Sequence, residues 1–96
     1  MTGKMIQKWL DSRADFTDYQ MKTKDPRIEI EFEFYDRDER GNYIEPKYRT
    51  FDRVDICIPQ TGSIYQVCQR DGESMESFLT RVANKYNKIE KGMPND

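Results

Sequence analysis

Apolar residues alternate with glutamate over one stretch in the first half of the chain. Four apolar side chains occupy the even positions of residues 27–36, and three glutamates separate them: Ile28, Ile30, Phe32 and Phe34, with Glu29, Glu31 and Glu33. A period of two with one apolar face is typical of a half-buried antiparallel strand. We therefore predict a strand over residues 27–36, followed by a polar loop over residues 36–42.

A second alternating segment covers residues 47–58 and predicts another strand. Its even positions are expected to face the core, with Asp52 as the exception. Its odd positions are expected to face outward; they include Lys47, Arg49, Phe51 and Arg53. If this strand folds back on the first, its basic residues lie beside the three glutamates, and opposite charges on one exposed face favour that pairing.

A third strand is predicted at residues 64–70, after a turn, and its register stays open. One placement of a tight two-residue turn pairs Cys57 with Cys68. Moving that turn one residue earlier pairs Ile58 with Tyr65 and separates the cysteines. Both registers keep the apolar faces together, so the hydrophobic pattern does not choose between them.

Two segments repeat their apolar residues with the period of a helix. The first, residues 3–13, places Met5, Ile6, Trp9 and Leu10 on one face, and its end is left open between residues 11 and 21. The second, residues 74–90, has six apolar residues at helical spacing: Met75, Phe78, Leu79, Val82, Ala83 and Tyr86. Both patterns are typical of amphipathic helices.

The predicted elements follow the order α-β-β-β-α, which indicates an α+β fold. A three-stranded antiparallel meander presents one apolar face, and two helices packed on that face give a two-layer arrangement that buries every apolar stripe. We expect one domain over residues 1–92 and a short C-terminal tail over residues 93–96. Phe32, Ile56 and Leu79 are predicted to be mutually buried.

Composition narrows the class of protein. Of the 96 residues, 35% are hydrophobic and 35% are charged, a balance that on its own would favour disorder. The aromatic fraction of 12% and the periodic apolar residues favour a folded domain with a thin core instead. No apolar leader or membrane-length apolar run occurs, so a cytoplasmic protein that does not enter the membrane is expected.

The absence of histidine is the most informative fact about chemistry. It removes histidine bases, Ser-His and Cys-His nucleophile pairs and histidine-ligated zinc. The loop that begins at Asp36 resembles the start of a calcium loop, but Arg40 and Lys47 occupy its fifth and twelfth positions, where the ion needs oxygen ligands. We therefore expect no enzyme, no catalytic residue, no metal site and no cofactor. Cys57 and Cys68 are interpreted as reduced thiols that activity does not require.

A protein-interaction module is the function that this composition favours. Small inhibitors, immunity proteins and accessory proteins of phages or mobile elements are compact, charged and non-catalytic in the same way. The expected docking surface on another protein is the charged outer face of the sheet: Glu29, Glu31, Glu33, Lys47, Arg49, Phe51 and Arg53. Aromatic and arginine residues are enriched at the centres of interfaces, which favours Phe51 as a contact residue. The alternative that stays open is that Phe51 packs under a loop or under the N-terminal segment. Replacing Phe51 and Arg49 together is expected to weaken partner binding and to leave the melting temperature nearly unchanged.

Nucleic-acid binding is the alternative function. Basic residues interleaved with aromatic rings on a sheet can bind a single strand, and this chain offers Arg37, Arg40, Lys47, Arg49 and Arg53 with Tyr35, Tyr43 and Phe51. The acidic residues between them, in a chain of net charge −2, weaken the electrostatic attraction to phosphate. The sequence does not indicate the identity of a protein partner or the oligomeric state.

Overall fold

A computed structural model describes residues 1–13 and 20–94 of the chain. It is an α+β fold in which two helices pack on one face of an antiparallel sheet of strand order β1-β2-β3-β4. The elements are α1 (Gly3–Asp11), β1 (Gln20–Lys22), β2 (Glu29–Phe34), a 3-10 turn (Pro46–Tyr48), β3 (Phe51–Ile58), β4 (Ser63–Cys68) and α2 (Met75–Lys91). No helix in these ranges is long and apolar enough to cross a membrane.

The sheet has four strands, one more than predicted. The additional strand, β1, pairs antiparallel with β2 and places Met21 opposite Ile30. Met21 is buried, whereas its two neighbours in the strand are exposed. A single buried residue shows no period, so a strand of three residues leaves no signal in the sequence. Helix α1 ends at Asp11, the earlier of the predicted ends, and residues 14–19 lie outside the described part of the chain.

Both helices contribute to one hydrophobic core on a single face of the sheet. The predicted mutual burial is confirmed, because Phe32, Ile56 and Leu79 are each at most 1% exposed and belong to this core. The Trp9 ring stacks on Phe32 with 5.3 Å between the centroids, so Trp9 anchors α1 to the sheet. Helix α1 also approaches α2 closely, since a Cβ atom on Gly3 would lie 2.9 Å from the backbone nitrogen of Thr80.

A β-bulge reverses the facing of residues within β3. Phe32 lies opposite Val54, but Phe34 lies opposite Phe51, so β3 contains one extra residue between these pairs. After the bulge the even positions of β3 face the core, and before it the odd positions do. The expectation that Phe51 projects outward is therefore wrong. Phe51 is 8% exposed, and its ring packs edge-on against those of Phe32 and Phe34 at 5.2 and 5.3 Å. Asp52 is exposed for the same reason.

Residues 47–50, which precede β3, are not a strand, and this corrects two further expectations. Lys47 lies on the exposed 3-10 turn rather than on the sheet. Arg49 is only 8% exposed. Its Nε donates to the Ile44 carbonyl at 3.1 Å, and its Nη2 donates to the Tyr43 hydroxyl at 2.7 Å. Arg49 thus supports the β2–β3 loop (residues 35–50) from within, and the predicted ladder of basic residues beside the glutamates reduces to Arg53.

The observed register of β4 differs from both of the registers that the sequence left open. Ile58 pairs with Ser63 and Ile56 pairs with Tyr65, so the connection spans the four residues 59–62 rather than two. Gly62 adopts a φ of +73° and its N–H donates to the Ile58 carbonyl at 2.9 Å, which closes this longer turn. The observed register is displaced by two residues from the nearer expectation. A shift by two preserves the faces of the strand, so the apolar pattern contains no information against it.

Candidate functional site

The sheet face opposite the helices carries a grid of mostly polar side chains. Cross-strand pairing arranges them in rows: Lys22, Glu29, Cys57 and Ile64; Gln20, Glu31, Asp55 and Gln66; then Arg53 and Cys68, with Glu33 joined to Arg53 by an ion pair at the bulge. Strand periodicity explains the grid, because alternate residues of every strand project to the same side. Both helices pack on the other side of the sheet, so neither of them covers this face.

Carboxylates dominate the grid. We call Glu29, Glu31, Glu33 and Asp55 together the acidic face. Three ion pairs involve it among the described residues: Lys22 with Glu29 at 3.3 Å, Arg53 with Glu33 at 3.6 Å, and a longer contact of Arg53 with Asp55 at 3.8 Å. The middle row instead places Glu31 directly opposite Asp55. Like charges in cross-strand pairs destabilise a sheet, so this row opposes folding.

Asp55 is the most buried of these carboxylates. Its side chain is only 10% exposed although it lies on the outer face of the sheet. The Oδ1 atom lies 3.8 Å from Arg53 Nε and accepts no hydrogen bond from any residue that the structure describes. Burial of a polar atom that lacks a hydrogen bond costs free energy of folding. Asp55 therefore keeps an unused acceptor in the middle of the acidic face.

The two cysteines share the outer face but do not pair. Cys57 lies opposite Ile64, and Cys68 lies opposite Arg53. Four residues of strand separate their rows, about 13 Å, whereas a disulfide needs Cα atoms within about 7 Å. Both are free thiols. Burial, together with the nearby Glu31 and Asp55 carboxylates, raises the pKa of Cys57 to about 11. Its reactive thiolate form is therefore scarce near neutral pH.

The structure brings together four of the seven residues predicted to bind a partner. Glu29, Glu31, Glu33 and Arg53 lie on the outer face, whereas Lys47, Arg49 and Phe51 lie elsewhere. Sequence reasoning missed Asp55 as a site residue. The alternation of residues in β3 predicted that Asp55 faces outward. Its burial was not predictable, because it depends on which side chains the strand register places beside it. Within residues 1–13 and 20–94, no group of three or more acidic or cysteine side chains is arranged to hold a metal ion.

The β2–β3 loop contains most of the residues of the alternative function. Tyr43 and Tyr48 are 61% and 65% exposed, and Lys47 Nζ lies 4.9 Å from the centre of the Tyr48 ring. Acidic residues alternate with the basic ones here. A shallow hollow in this loop is lined by Arg37 and Arg40 as well as Asp38 and Glu39. The loop thus offers exposed aromatic rings in a region of nearly balanced charge.

Comparisons with known proteins give no relative, since no protein-family model, no curated protein and no solved structure matches this chain.

Proposed function

We propose that the protein is a small interaction domain whose acidic face docks on a cationic surface of a partner protein, as an inhibitor, an immunity protein or an accessory protein does. The observation that carries this proposal is the pairing of Asp55 with Glu31. Two carboxylates lie opposite each other, and one of them is largely removed from water with an unused acceptor atom.

Such a pair opposes folding but favours binding. A guanidinium or ammonium group of a partner would donate hydrogen bonds to Glu31, the more accessible of the two, and would offset the repulsion between Glu31 and the buried Asp55. Charge complementarity of this kind accelerates association and disfavours wrong partners. The same face repels phosphate, which supports a protein partner rather than a nucleic acid at this surface.

Quantitative affinity capture tests the proposal when it compares variants. The wild-type chain, Glu31→Lys and Glu76→Lys are each used to capture proteins from a lysate of the encoding organism. Glu76 is exposed on α2, away from the acidic face, so its variant matches the charge change at another place. A partner is a protein that the wild type and Glu76→Lys retain and Glu31→Lys loses. Its affinity for the wild type, measured with the purified protein, falls as salt is added. If Glu31→Lys captures the same proteins as the wild type, the acidic face is not the docking surface.

Asp55→Asn separates the contribution of this residue to binding from its contribution to stability. Because the neutral amide no longer repels Glu31 and gives up only the long 3.8 Å contact with Arg53, we expect it to raise the free energy of unfolding by up to about 1 kcal/mol in urea melts. The same variant is expected to weaken partner binding, since it removes the charge that the partner neutralises. A variant that is less stable and still binds the partner with wild-type affinity would assign Asp55 a structural role instead.

A second candidate function is single-strand nucleic-acid binding through the β2–β3 loop. It is favoured by the exposed rings of Tyr43 and Tyr48 beside Lys47. Fluorescence anisotropy with a single-stranded oligonucleotide at two salt concentrations tests it. Binding that weakens steeply with salt and is lost in Tyr48→Ala supports this candidate, because stacking and phosphate contacts both contribute. Absence of binding at low salt refutes it.

A further inference from the structure

Strand β4 forms an edge of the sheet that is open for pairing. Its six residues pair with β3, and no other described strand lies on its far side. The Gln69 N–H donates to the Asp52 carbonyl at 2.7 Å and extends the ladder beyond the end of β4. Alternate residues of an antiparallel strand direct their backbone groups to the same neighbour, so Tyr65 and Val67 face β3. The N–H and C=O groups of Ile64 and Gln66 therefore point outward from the sheet.

A groove runs between this edge and α2. We call it the edge groove. Its strand side consists of Gln66, Val67 and Cys68, and its helix side consists of Asn84, Lys85 and Lys88, with Arg81 at one end. All ionisable side chains on the helix side are basic. Lys85 Nζ also lies 5.4 Å from the centre of the Tyr65 ring, which holds the ammonium group over the strand.

Arg81 closes one end of the groove. Its Nη2 donates to the Cys68 carbonyl and to Glu73 Oε1, each at 2.6 Å, and its Nε donates to Glu73 Oε2 at 2.8 Å. The last carbonyl of the strand is thereby occupied. Pairing with a further strand is restricted to the backbone groups of Ile64 and Gln66 and to the Cys68 N–H. Arg81 also ties β4 to α2, so the two walls of the groove are fixed relative to each other.

We propose that the edge groove binds an extended acidic segment of a partner protein, which adds to the sheet as a further strand beside β4. Backbone hydrogen bonds to Ile64 and Gln66 supply the pairing, as in other cases where a peptide extends a sheet. Carboxylates of the segment meet Lys85 and Lys88. Apolar side chains on its other face contact Ile64, which is 64% exposed on the outer side of the sheet. This site differs from the acidic face in both position and charge.

Charge selects the acidic segment over a second copy of the chain. Pairing of two β4 edges would bring the two α2 helices side by side on the same face of the joined sheet. Lys85 and Lys88 of one copy would then approach the same residues of the other, and like charges would oppose the contact. A segment with negative side chains meets no such opposition.

A synthetic peptide in which glutamate alternates with valine is the probe. Titration followed by NMR is expected to give saturable binding, and the amides of Ile64 and Gln66 become protected from hydrogen exchange in the complex, because they gain hydrogen bonds. The matched control is the same peptide with its strand-facing amides N-methylated, which cannot pair. We expect its affinity to be lower by about ten-fold or more. A lysine–valine peptide is expected to bind less tightly than the glutamate peptide.

Variants of the protein locate the site. Gln66→Pro removes an outward N–H and leaves the ladder with β3 intact, since proline is tolerated at an edge where its missing N–H faces solvent. The double variant Lys85→Glu, Lys88→Glu reverses the charge of the groove without altering the strand. Both are expected to lose peptide binding, whereas Lys91→Glu, at the end of α2 and outside the groove, retains it.

Three results would overturn the proposal. The first is no binding at about 1 mM peptide, a concentration that detects affinities of about −4 kcal/mol. The second is binding that N-methylation does not weaken, or protection that appears away from β4. The third is sedimentation of the protein alone as a dimer that Gln66→Pro dissociates, which would identify a second copy as the occupant. Peptide binding by Glu31→Lys keeps this test independent of the acidic face.

Discussion

Phe51 of β3 packs in the core, although its position in the alternating pattern predicts that it faces outward. Its ring contacts Phe32, Phe34 and Phe78 with centroid distances between 5.2 and 6.0 Å. Phe51→Ala is expected to lower the free energy of unfolding by about 3–5 kcal/mol in urea melts, as truncation of a buried Phe does. Tyr48→Ala, at an exposed aromatic residue of the 3-10 turn, is the control and is expected to change it little. Equal melting curves for the two variants would place Phe51 outside the core.

That expectation reverses the one drawn from the pattern alone. An outward Phe51 and an outward Arg49 would tolerate replacement together, whereas the structure has both buried. The pattern did contain one sign of the bulge, since Asp52 stood as a polar residue at a position assigned to the core. A single polar residue at a core position does not show where the extra residue of the bulge lies, because no residue type is specific for this bulge.

The two thiols are expected to react at very different rates. Cys68 is exposed, whereas Cys57 is buried with its pKa raised to about 11. At pH 8, three pH units below that pKa, only about one Cys57 side chain in a thousand is a thiolate. Ellman's reagent is therefore expected to modify one thiol per native chain rapidly and the second only on unfolding. Cys68→Ser identifies the fast thiol. Rapid modification of two thiols in the native protein would contradict the burial of Cys57.

At the scale of elements, a cluster around Glu73 joins the start of α2 to the end of β4. Arg81 donates two hydrogen bonds to the Glu73 carboxylate, and the Arg70 N–H and the Ser77 hydroxyl donate one each. These donors, with Arg81 the largest contributor, hold the pKa of Glu73 far below its ordinary value of 4.5. A carboxyl with a lowered folded-state pKa stabilises the protein above its unfolded pKa and loses that contribution as pH falls.

Acid titration of stability tests this cluster. Glu73→Gln is expected to be less stable than the wild type at pH 7. The difference between them is expected to shrink as pH falls below about 4.5, because the unfolded wild-type chain then binds a proton at Glu73 that the folded chain does not. Glu76→Gln, at an exposed residue of the first turn of α2, serves as the control and is expected to show no such convergence. A Glu73→Gln variant whose deficit is the same at pH 7 and pH 3 would show that charge is not the basis of the contribution.

The sequence predicted the long helix and strands. It did not predict features that leave no repeat of apolar residues, such as a strand of three residues or the register between two strands. Helix α2 and strand β2 have enough residues to repeat their apolar positions several times, and both form where the pattern places them. Strand β1 has one buried residue and no repeat. The register of β4 was undetermined because displacements by two residues leave the same side chains on the same face. The acidic face was predictable for β2 and β3, but its opposition of Glu31 and Asp55 required the observed register.

At the scale of the whole molecule, a net charge of −2 conceals two surfaces of opposite sign. The acidic face centres on β2 and β3, and the edge groove lies between β4 and α2. Two strand spacings separate Glu31 from Gln66 in the same row, about 10 Å, which is comparable to the screening length in physiological salt. The small net charge of the chain therefore says little about which partners the molecule attracts.

The two surfaces are expected to act independently. Glu31→Lys should change the affinity of the edge groove for the glutamate–valine peptide by less than about 0.5 kcal/mol at physiological salt, because distant sites add nearly without coupling. Calorimetric titration of the wild type and the variant measures this difference. Glu76→Lys, which makes the same change of charge at an exposed residue of α2 away from the acidic face, is the control for a general effect of net charge. A large loss in Glu31→Lys alone would mean that one ligand spans both surfaces.

The two edges of the sheet are unequal, so they also determine how many further strands the sheet can accept. Among the described strands, β1 offers three residues at one edge, two of them exposed and polar, whereas β4 offers six at the other. A building block with two equivalent edges can polymerise, since each addition exposes a new site of the same kind. A block with one usable edge terminates growth as soon as it is joined. In a mixture with an aggregating strand-forming peptide, this chain would therefore act as a chain stopper, capping a growing sheet rather than lengthening it.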